Sequence, residues 1–159
     1  MLSIGLLVGG CGRPGASPGH PADAAGSPSA TASVEPPAGR PPAASIAVDG
    51  GEPVAGQLGS YTWLDAGSDT PWLDGSPVRV GVGERLTLTL GEPIGIANWT
   101  ASRVAPGTRD GIGAIGMADG PGEPVAFDPP PRGAWSLNVT VWFSDDRGSA
   151  AYYWLVDVQ

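Results

Sequence analysis

Aromatic side chains are the residues of this sequence with the clearest potential for binding chemistry. Trp63, Trp72, Trp99, Trp142 and Tyr153 all lie after residue 45. Because an indole or phenol ring has an apolar face and a polar edge, such rings can form a platform for a sugar or a peptide. Trp63 and Trp99 fit core positions in the strands described below. We therefore take Trp72, Trp142 and Tyr153 as the candidate ligand surface.

Carboxylates in loops are the second group of candidates. Asp65, Asp69 and Asp74 lie in one loop rich in Gly, Ser and Pro, and a calcium ion prefers several oxygen ligands. Their spacing matches no EF-hand, however, and loop aspartates usually cap turns. Asp145 and Asp146 stand in a turn sequence and are interpreted in the same way. We predict no metal site.

The composition excludes several classes of enzyme from the folded part of the chain. The single histidine, His20, and the single cysteine, Cys11, both precede residue 45. Ser-His-Asp triads, Cys-His dyads and His-based metal sites are thereby removed from that part. Its many carboxylates leave an acid/base pair of the glycosidase type open, but no local motif marks one. We predict that the protein is not an enzyme and holds no cofactor.

The acidic charge of the chain restricts its partners. The net charge is −8 at pH 7, the sequence contains no lysine, and only two of its 16 acidic residues, Asp23 and Glu35, precede residue 45. A uniformly acidic domain is repelled by nucleic acid and by anionic lipid headgroups. The remaining partners are a protein or a glycan, and the sequence does not predict an oligomeric state.

The elements that position these residues are predicted to be β-strands, most clearly in the hairpin at residues 135–158. Apolar and polar residues alternate on both sides of the turn at residues 145–148, as one-sided burial requires. Pairing Ser144 with Ser149 matches the apolar residues: Val141 with Tyr152, Val139 with Trp154, Leu137 with Val156, and Trp135 with Val158. Trp154 then lies in the core. Trp142 and Tyr153 lie on the opposite face, which is either exposed or covered by residues 45–76.

Shorter runs with strand character precede the hairpin, and no segment has a helical period. They lie at residues 46–48, 57–64, 78–82, 85–90, 94–104, 112–117 and 125–127. Eight or nine short strands separated by Gly and Pro predict an all-β fold, an antiparallel β-sandwich.

The order of these runs between residues 77 and 158 resembles an immunoglobulin-like domain. Residues 78–82 and 85–90 look like its first two strands, Trp99 looks like the core tryptophan of the third, and the hairpin looks like the last two. The resemblance implies an immunoglobulin-like β-sandwich. The sequence lacks the disulfide of antibody domains. Residues 45–76 would be a hairpin and loop added before the immunoglobulin-like part.

The start of the sequence resembles the end of a bacterial lipoprotein signal peptide. Residues 1–11 form an apolar run too short to span a bilayer, and Val8-Gly9-Gly10-Cys11 matches the lipobox. The resemblance implies cleavage before Cys11 and attachment of diacylglycerol, with palmitate-type chains, to its sulfur. The protein would then be anchored to the cell membrane on the extracytoplasmic face. No Arg or Lys precedes the apolar run, and a start codon further upstream would account for this departure.

Residues 12–44 are almost entirely Pro, Gly, Ala, Ser and Thr, and they are predicted to be a disordered linker before a β-sandwich domain at residues 45–159. The whole chain also resembles uncharacterised lipoproteins of high-GC bacteria. In that group the region of Ser60-Tyr61-Thr62-Trp63 often carries a cysteine, which is absent here, and the resemblance implies no activity.

Together these features predict a membrane-anchored lipoprotein of the cell envelope. Its small β-sandwich would serve as a binding or accessory module for a protein or a glycan. The alternative is a structural envelope lipoprotein with no dedicated ligand. A pull-down from membranes that recovers one stoichiometric partner or glycan distinguishes the first hypothesis from the second.

Overall fold

The computed structural model describes residues 39–159, and within this range all regular secondary structure is β. The eleven strands are β1 (Ala44–Val48), β2 (Val54–Ala55), β3 (Gln57–Trp63), β4 (Ala66–Ser68), β5 (Ser76–Val80), β6 (Leu86–Leu90), β7 (Ile96–Val104), β8 (Ile115–Pro121), β9 (Val125–Phe127), β10 (Gly133–Phe143) and β11 (Gly148–Val158). This range contains no helix that is long and apolar enough to cross a membrane. The signal peptide predicted at residues 1–11, its Cys11 and the linker up to residue 38 lie outside the described residues.

The strands form two sheets that enclose a common core, which confirms the predicted immunoglobulin-like β-sandwich. The smaller sheet has the order β2-β1-β6-β9, and the larger has the order β4-β3-β11-β10-β7-β8. As in immunoglobulin-like domains, the last two strands share a sheet with the strand of the core tryptophan, while β6 belongs to the facing sheet. Neighbouring strands are antiparallel, except that β5 pairs parallel with β11.

The alternating residues of both sheets fill the core. Its largest fully buried side chains are Trp154, Tyr152, Ile46, Leu86, Leu137, Val80, Val125, Val139, Val141 and Val156. Trp63 and Trp99 are also buried, as predicted. Trp63 meets the ring of Phe143 edge-on with 5.0 Å between centroids, and Trp99 lies 5.8 Å from the ring of Phe127. Two of the candidate aromatic residues are thus packing residues of the core.

The C-terminal hairpin has the predicted faces, but the predicted pairing of Ser144 with Ser149 is wrong. Ser149 pairs with Trp142, and Trp154 pairs with Leu137. The reason lies in the turn, whose centre is Asp145-Asp146 with φ of 59° and 53°. Two central residues with positive φ are typical of a tight hairpin turn, and aspartate tolerates this conformation. The pairing moves by two residues, so every side chain keeps its face.

The edge of β11 that faces away from β10 is divided between two strands. Its first half pairs antiparallel with β3, and its second half pairs parallel with β5. Gly75, with φ of +83°, lies where one partner gives way to the other. A Cβ atom at this position would come within 2.2 Å of the backbone carbonyl carbon of Tyr153. Only glycine allows the chain to pass this close to β11.

The packed part of the chain begins before Ser45, the position at which the sequence predicted the start of the domain. Pro42 is fully buried, and its carbonyl oxygen accepts a hydrogen bond from the hydroxyl of Tyr152. The next two carbonyl groups accept bonds from Gly91 N and Gly56 N. The last residues of the predicted linker therefore belong to the sandwich.

Candidate functional site

The side of the larger sheet that faces away from the core, here called the outer face, carries the remaining candidate residues. It presents the even-numbered residues of β10 and the odd-numbered residues of β11, because successive side chains of a strand point to opposite sides. One half of this face is covered by residues 69–76, and the other half is open. The two halves contain different candidates.

Trp72 covers the first half and holds Tyr153 beneath it. The two rings meet edge-on, with 5.4 Å between centroids and 72° between planes. Trp72 Nε1 donates a hydrogen bond of 2.6 Å to Ser136 Oγ, which in turn donates one of 2.6 Å to the carbonyl oxygen of Leu73. Ser136 is fully buried, and Tyr153 is only 6% exposed. The half-buried Trp72 is thus a cover, and Tyr153 is a packed residue beneath it.

The backbone of β3 also fits against Tyr153. A Cβ atom at Gly59 would lie 2.3 Å from its ring, so the ring occupies the space that any other residue would need. Burial, with a smaller contribution from the charge of Asp69, raises the pKa of Tyr153. Burial likewise raises the pKa of Tyr152 on the core side of the strand. Both phenols are therefore neutral at neutral pH.

Trp142 lies on the open half and is 41% exposed. It pairs with Ser149 on one side and with Asn98 on the other. A groove of about 550 Å³ has Thr140 and Ser149 in its lining, and Trp142 is their neighbour in the sheet but does not itself line the groove. We call it the hydroxyl groove after its lining: Ser60, Tyr61, Thr62, Gly67, Ser68, Asp69, Thr140, Ser149 and Ala151. Of the three predicted ligand residues, Trp142 alone is exposed.

The polar groups of the hydroxyl groove are held by hydrogen bonds to one another and to the backbone. Ser60 Oγ donates to Asp69 Oδ1 at 3.0 Å, and Thr140 Oγ1 donates to Asn138 Oδ1 at 3.0 Å. Thr62 Oγ1 accepts from Ser149 N at 3.2 Å. Ser60 and Thr140 use their hydroxyl hydrogens in these bonds, so toward a ligand their oxygens act as acceptors. The hydroxyl groups are therefore preordered, and they lie in a groove whose exposed surface is mainly apolar.

The three loop carboxylates considered as calcium ligands have different partners and positions. Asp69 binds Ser60, and Asp74 Oδ1 accepts a hydrogen bond of 2.7 Å from Gly107 N in another loop. Asp65 lies in the turn between β3 and β4. In residues 39–159, no three side chains of the metal-binding types come together.

The serine and threonine residues of the groove were missed by reasoning from the sequence. On a strand, Ser and Thr alternate with apolar residues whether they face a ligand or only solvent, so the pattern does not distinguish the two cases. One feature of the sequence could have indicated two of these residues. In the hairpin, Thr140 and Ser149 fall on the same face as Trp142, and this placement identifies a polar surface around an aromatic ring.

The fold and this face define an immunoglobulin-like β-sandwich with a single exposed tryptophan beside the hydroxyl groove. No family model matches the sequence, and no curated protein matches it. Among solved structures, a similar chain is found in one titled "X-Ray photoreduction of Polysaccharide monooxygenase CBM33", with a TM-score of 0.40 and 13% sequence identity. The match covers 53% of this chain and 59% of that chain, which is less than two thirds of its length.

Proposed function

We propose that the protein is a binding module rather than an enzyme, that it is tethered to the extracytoplasmic face of the cell membrane through Cys11, and that its ligand binds on the open half of the outer face. One observation carries this proposal: Trp142 is 41% exposed on the face where its sheet neighbours Thr140 and Ser149 line a groove. A concave surface with an aromatic ring and a few convergent polar groups is the usual form of a ligand site.

The two halves of the outer face differ in whether other residues cover them, and this difference supports the choice of site. Residues 69–76 cover Tyr153 with an edge-on tryptophan and a buried hydroxyl, whereas within residues 39–159 Trp142 remains 41% exposed. A structural envelope protein without a dedicated ligand, the alternative function, gains no stability from an indole left in water. The open half is therefore the surface to test for binding.

The tether is tested by changing Cys11 to Ser. We expect the native protein to fractionate with membranes and to incorporate labelled fatty acid, and the Cys11→Ser variant to be soluble or secreted. An apolar run of this length cannot span a bilayer, so the lipid is the expected anchor. The tether is refuted if the Ser variant remains in the membrane fraction and the native protein takes up no label.

The binding site is tested with the full chain that carries Cys11→Ser, using isolated cell envelopes as the probe. We expect saturable retention that falls about tenfold or more with Trp142→Ala, because exposed aromatic anchors dominate binding energies. Val82→Ala is the matched control, since Val82 is 60% exposed but lies between β5 and β6, away from the outer face. If the Cys11→Ser chain and its Trp142→Ala and Val82→Ala variants are all retained equally, binding at Trp142 is refuted. The structural alternative is then favoured.

A further inference from the structure

We infer that the ligand of the open half is a neutral glycan. This inference rests on the proposed function and adds the chemical class of the ligand. It follows from the composition of the hydroxyl groove, from the charges that are present in it and absent from it, and from the position of Trp142.

The charge of the groove selects against anionic ligands. Its lining contains one carboxylate, Asp69, and no arginine. Three other grooves of the described domain do contain arginines: one is lined by Arg85 and Arg103, the others by Arg109 and by Arg132. On a chain with a net charge of −8, a groove without cations disfavours acidic polysaccharides as well as nucleic acids.

The polar lining favours a glycan over a protein. Five of its nine residues are Ser or Thr: Ser60, Thr62, Ser68, Thr140 and Ser149. Serine is depleted at protein–protein interfaces, and serine and threonine are both under-represented among the residues that dominate their affinity. A sugar hydroxyl, in contrast, donates as well as accepts hydrogen bonds, so it can donate to the hydroxyl oxygens of these side chains.

Trp142 supplies the apolar part of the same recognition. A sugar ring has C–H groups on its faces, and the negative face of an indole attracts such groups. Ser149 lies directly opposite Trp142 in the sheet, with Thr62 next to it on β3. Two residues with hydroxyl groups that line the groove thus lie on the next two strands of the sheet from Trp142. The volume of about 550 Å³ lies within the range of about 300–1,000 Å³ that ligand sites occupy.

The existing hydrogen bonds also suit a polar ligand. Because Thr62, Thr140 and Ser60 are already bonded to neighbouring groups, their hydroxyls need little ordering when a ligand binds. Lower ordering cost leaves more of the hydrogen-bond energy for affinity. The groove is therefore arranged for several simultaneous hydrogen bonds beside one stacking contact.

The test uses the full chain with Cys11→Ser and isolated cell envelopes that have been treated in two ways. Periodate cleaves the vicinal diols of sugars, whereas protease digestion removes proteins. We expect retention of the chain to fall at least tenfold after periodate, to survive protease digestion, and to change less than twofold between 50 and 500 mM salt. The weak salt dependence follows from the neutrality of the ligand.

A variant of the groove completes the test. Thr140→Val keeps the shape of the side chain but removes one groove hydroxyl, and we expect retention to fall severalfold. Thr89→Val is the matched control because Thr89 is an exposed threonine on β6 of the smaller sheet. The thermal midpoint of each variant shows whether it remains folded.

The outcomes separate this inference from the proposed function. Retention that still depends on Trp142 but is lost with protease, or that falls steeply with salt, identifies a ligand other than a neutral glycan. The inference then fails while the binding function stands. Retention that does not depend on Trp142 removes both.

Discussion

The hydroxyl of Tyr152 donates a hydrogen bond to the carbonyl oxygen of Pro42, 110 positions earlier in the chain. Both residues are fully buried. The bond joins the segment that leads into β1 to β11, which lies within the larger sheet. The residues immediately before β1 are therefore part of the stability of the sandwich.

A chain that begins at Ser45 should accordingly be less stable than one that begins at Gly39. It loses the carbonyl groups that accept hydrogen bonds from Tyr152, Gly91 and Gly56. At roughly 1 kcal/mol for each bond, the loss is about 3 kcal/mol, and the thermal midpoint should fall by about 10 °C. Calorimetry of the two chains checks this. Equal midpoints would show that the segment before Ser45 contributes nothing.

Stability should also fall at alkaline pH. Burial raises the pKa values of Tyr152 and Tyr153 in the folded state, so above about pH 10 the unfolded chain releases protons that the folded chain retains. The free energy of unfolding then decreases with pH, by at most about 1.4 kcal/mol per pH unit for each tyrosine, and below pH 9 it is independent of them. Urea titrations between pH 8 and 11.5 measure the slope. Tyr153→Phe should make it shallower, and an unchanged slope would contradict the assignment.

Replacing either buried aromatic residue of β11 should be severe. Trp154 has no exposed surface and Tyr153 has 6%, so Trp154→Ala and Tyr153→Ala should each cost about 3–5 kcal/mol. Trp142→Ala, on the open half of the outer face, should cost about 1 kcal/mol or less. Chemical denaturation of the three variants checks this. A loss at Tyr153 as small as that at Trp142 would mean that residues 69–76 do not cover the sheet in solution.

Leu64→Gly should stabilise the domain. Leu64 is 69% exposed and occupies the turn between β3 and β4 with φ of +51°, which costs a leucine about 1–2 kcal/mol. Glycine removes this strain but adds entropy to the unfolded chain, so we expect a net gain of about 0.5–1 kcal/mol. Val82→Gly is the control. Val82 is similarly exposed but has no positive φ, so the same change should destabilise the domain. A loss of stability in both variants would contradict the strain at Leu64.

The sequence predicted which side of each long strand is buried, because alternation records the environment of every second residue. Trp63, Trp99 and Trp154 were placed in the core on this basis, and the structure confirms all three. The pairing within the hairpin was wrong because it depends on the φ values of Asp145 and Asp146, which a turn sequence leaves open. The face was unaffected, since a shift of two residues preserves it.

The candidate site was less predictable because it depends on what lies over a sheet. Trp142 and Tyr153 have equivalent positions in the alternating pattern, yet Tyr153 is covered and Trp142 is exposed. The difference arises from Trp72, which bonds to Ser136, 64 positions away in the chain. Local periodicity contains no information about a contact over that distance. It reports which residues share a face and leaves open which part of the face is covered.

The division of β11 between β3 and β5 has a consequence for folding kinetics. β11 follows every other described strand in the chain, yet it lies within the larger sheet and joins β10 to β5 and β3, whose paired residues lie 78 and 85–96 positions earlier. Such a topology has a high contact order, and domains of this type fold in milliseconds to seconds. Until β11 is in place, β3 and β5 have no partner in the sheet that connects them to β10. The proposed extracytoplasmic location requires export across a membrane. Slow folding would leave the chain unfolded for longer during that export.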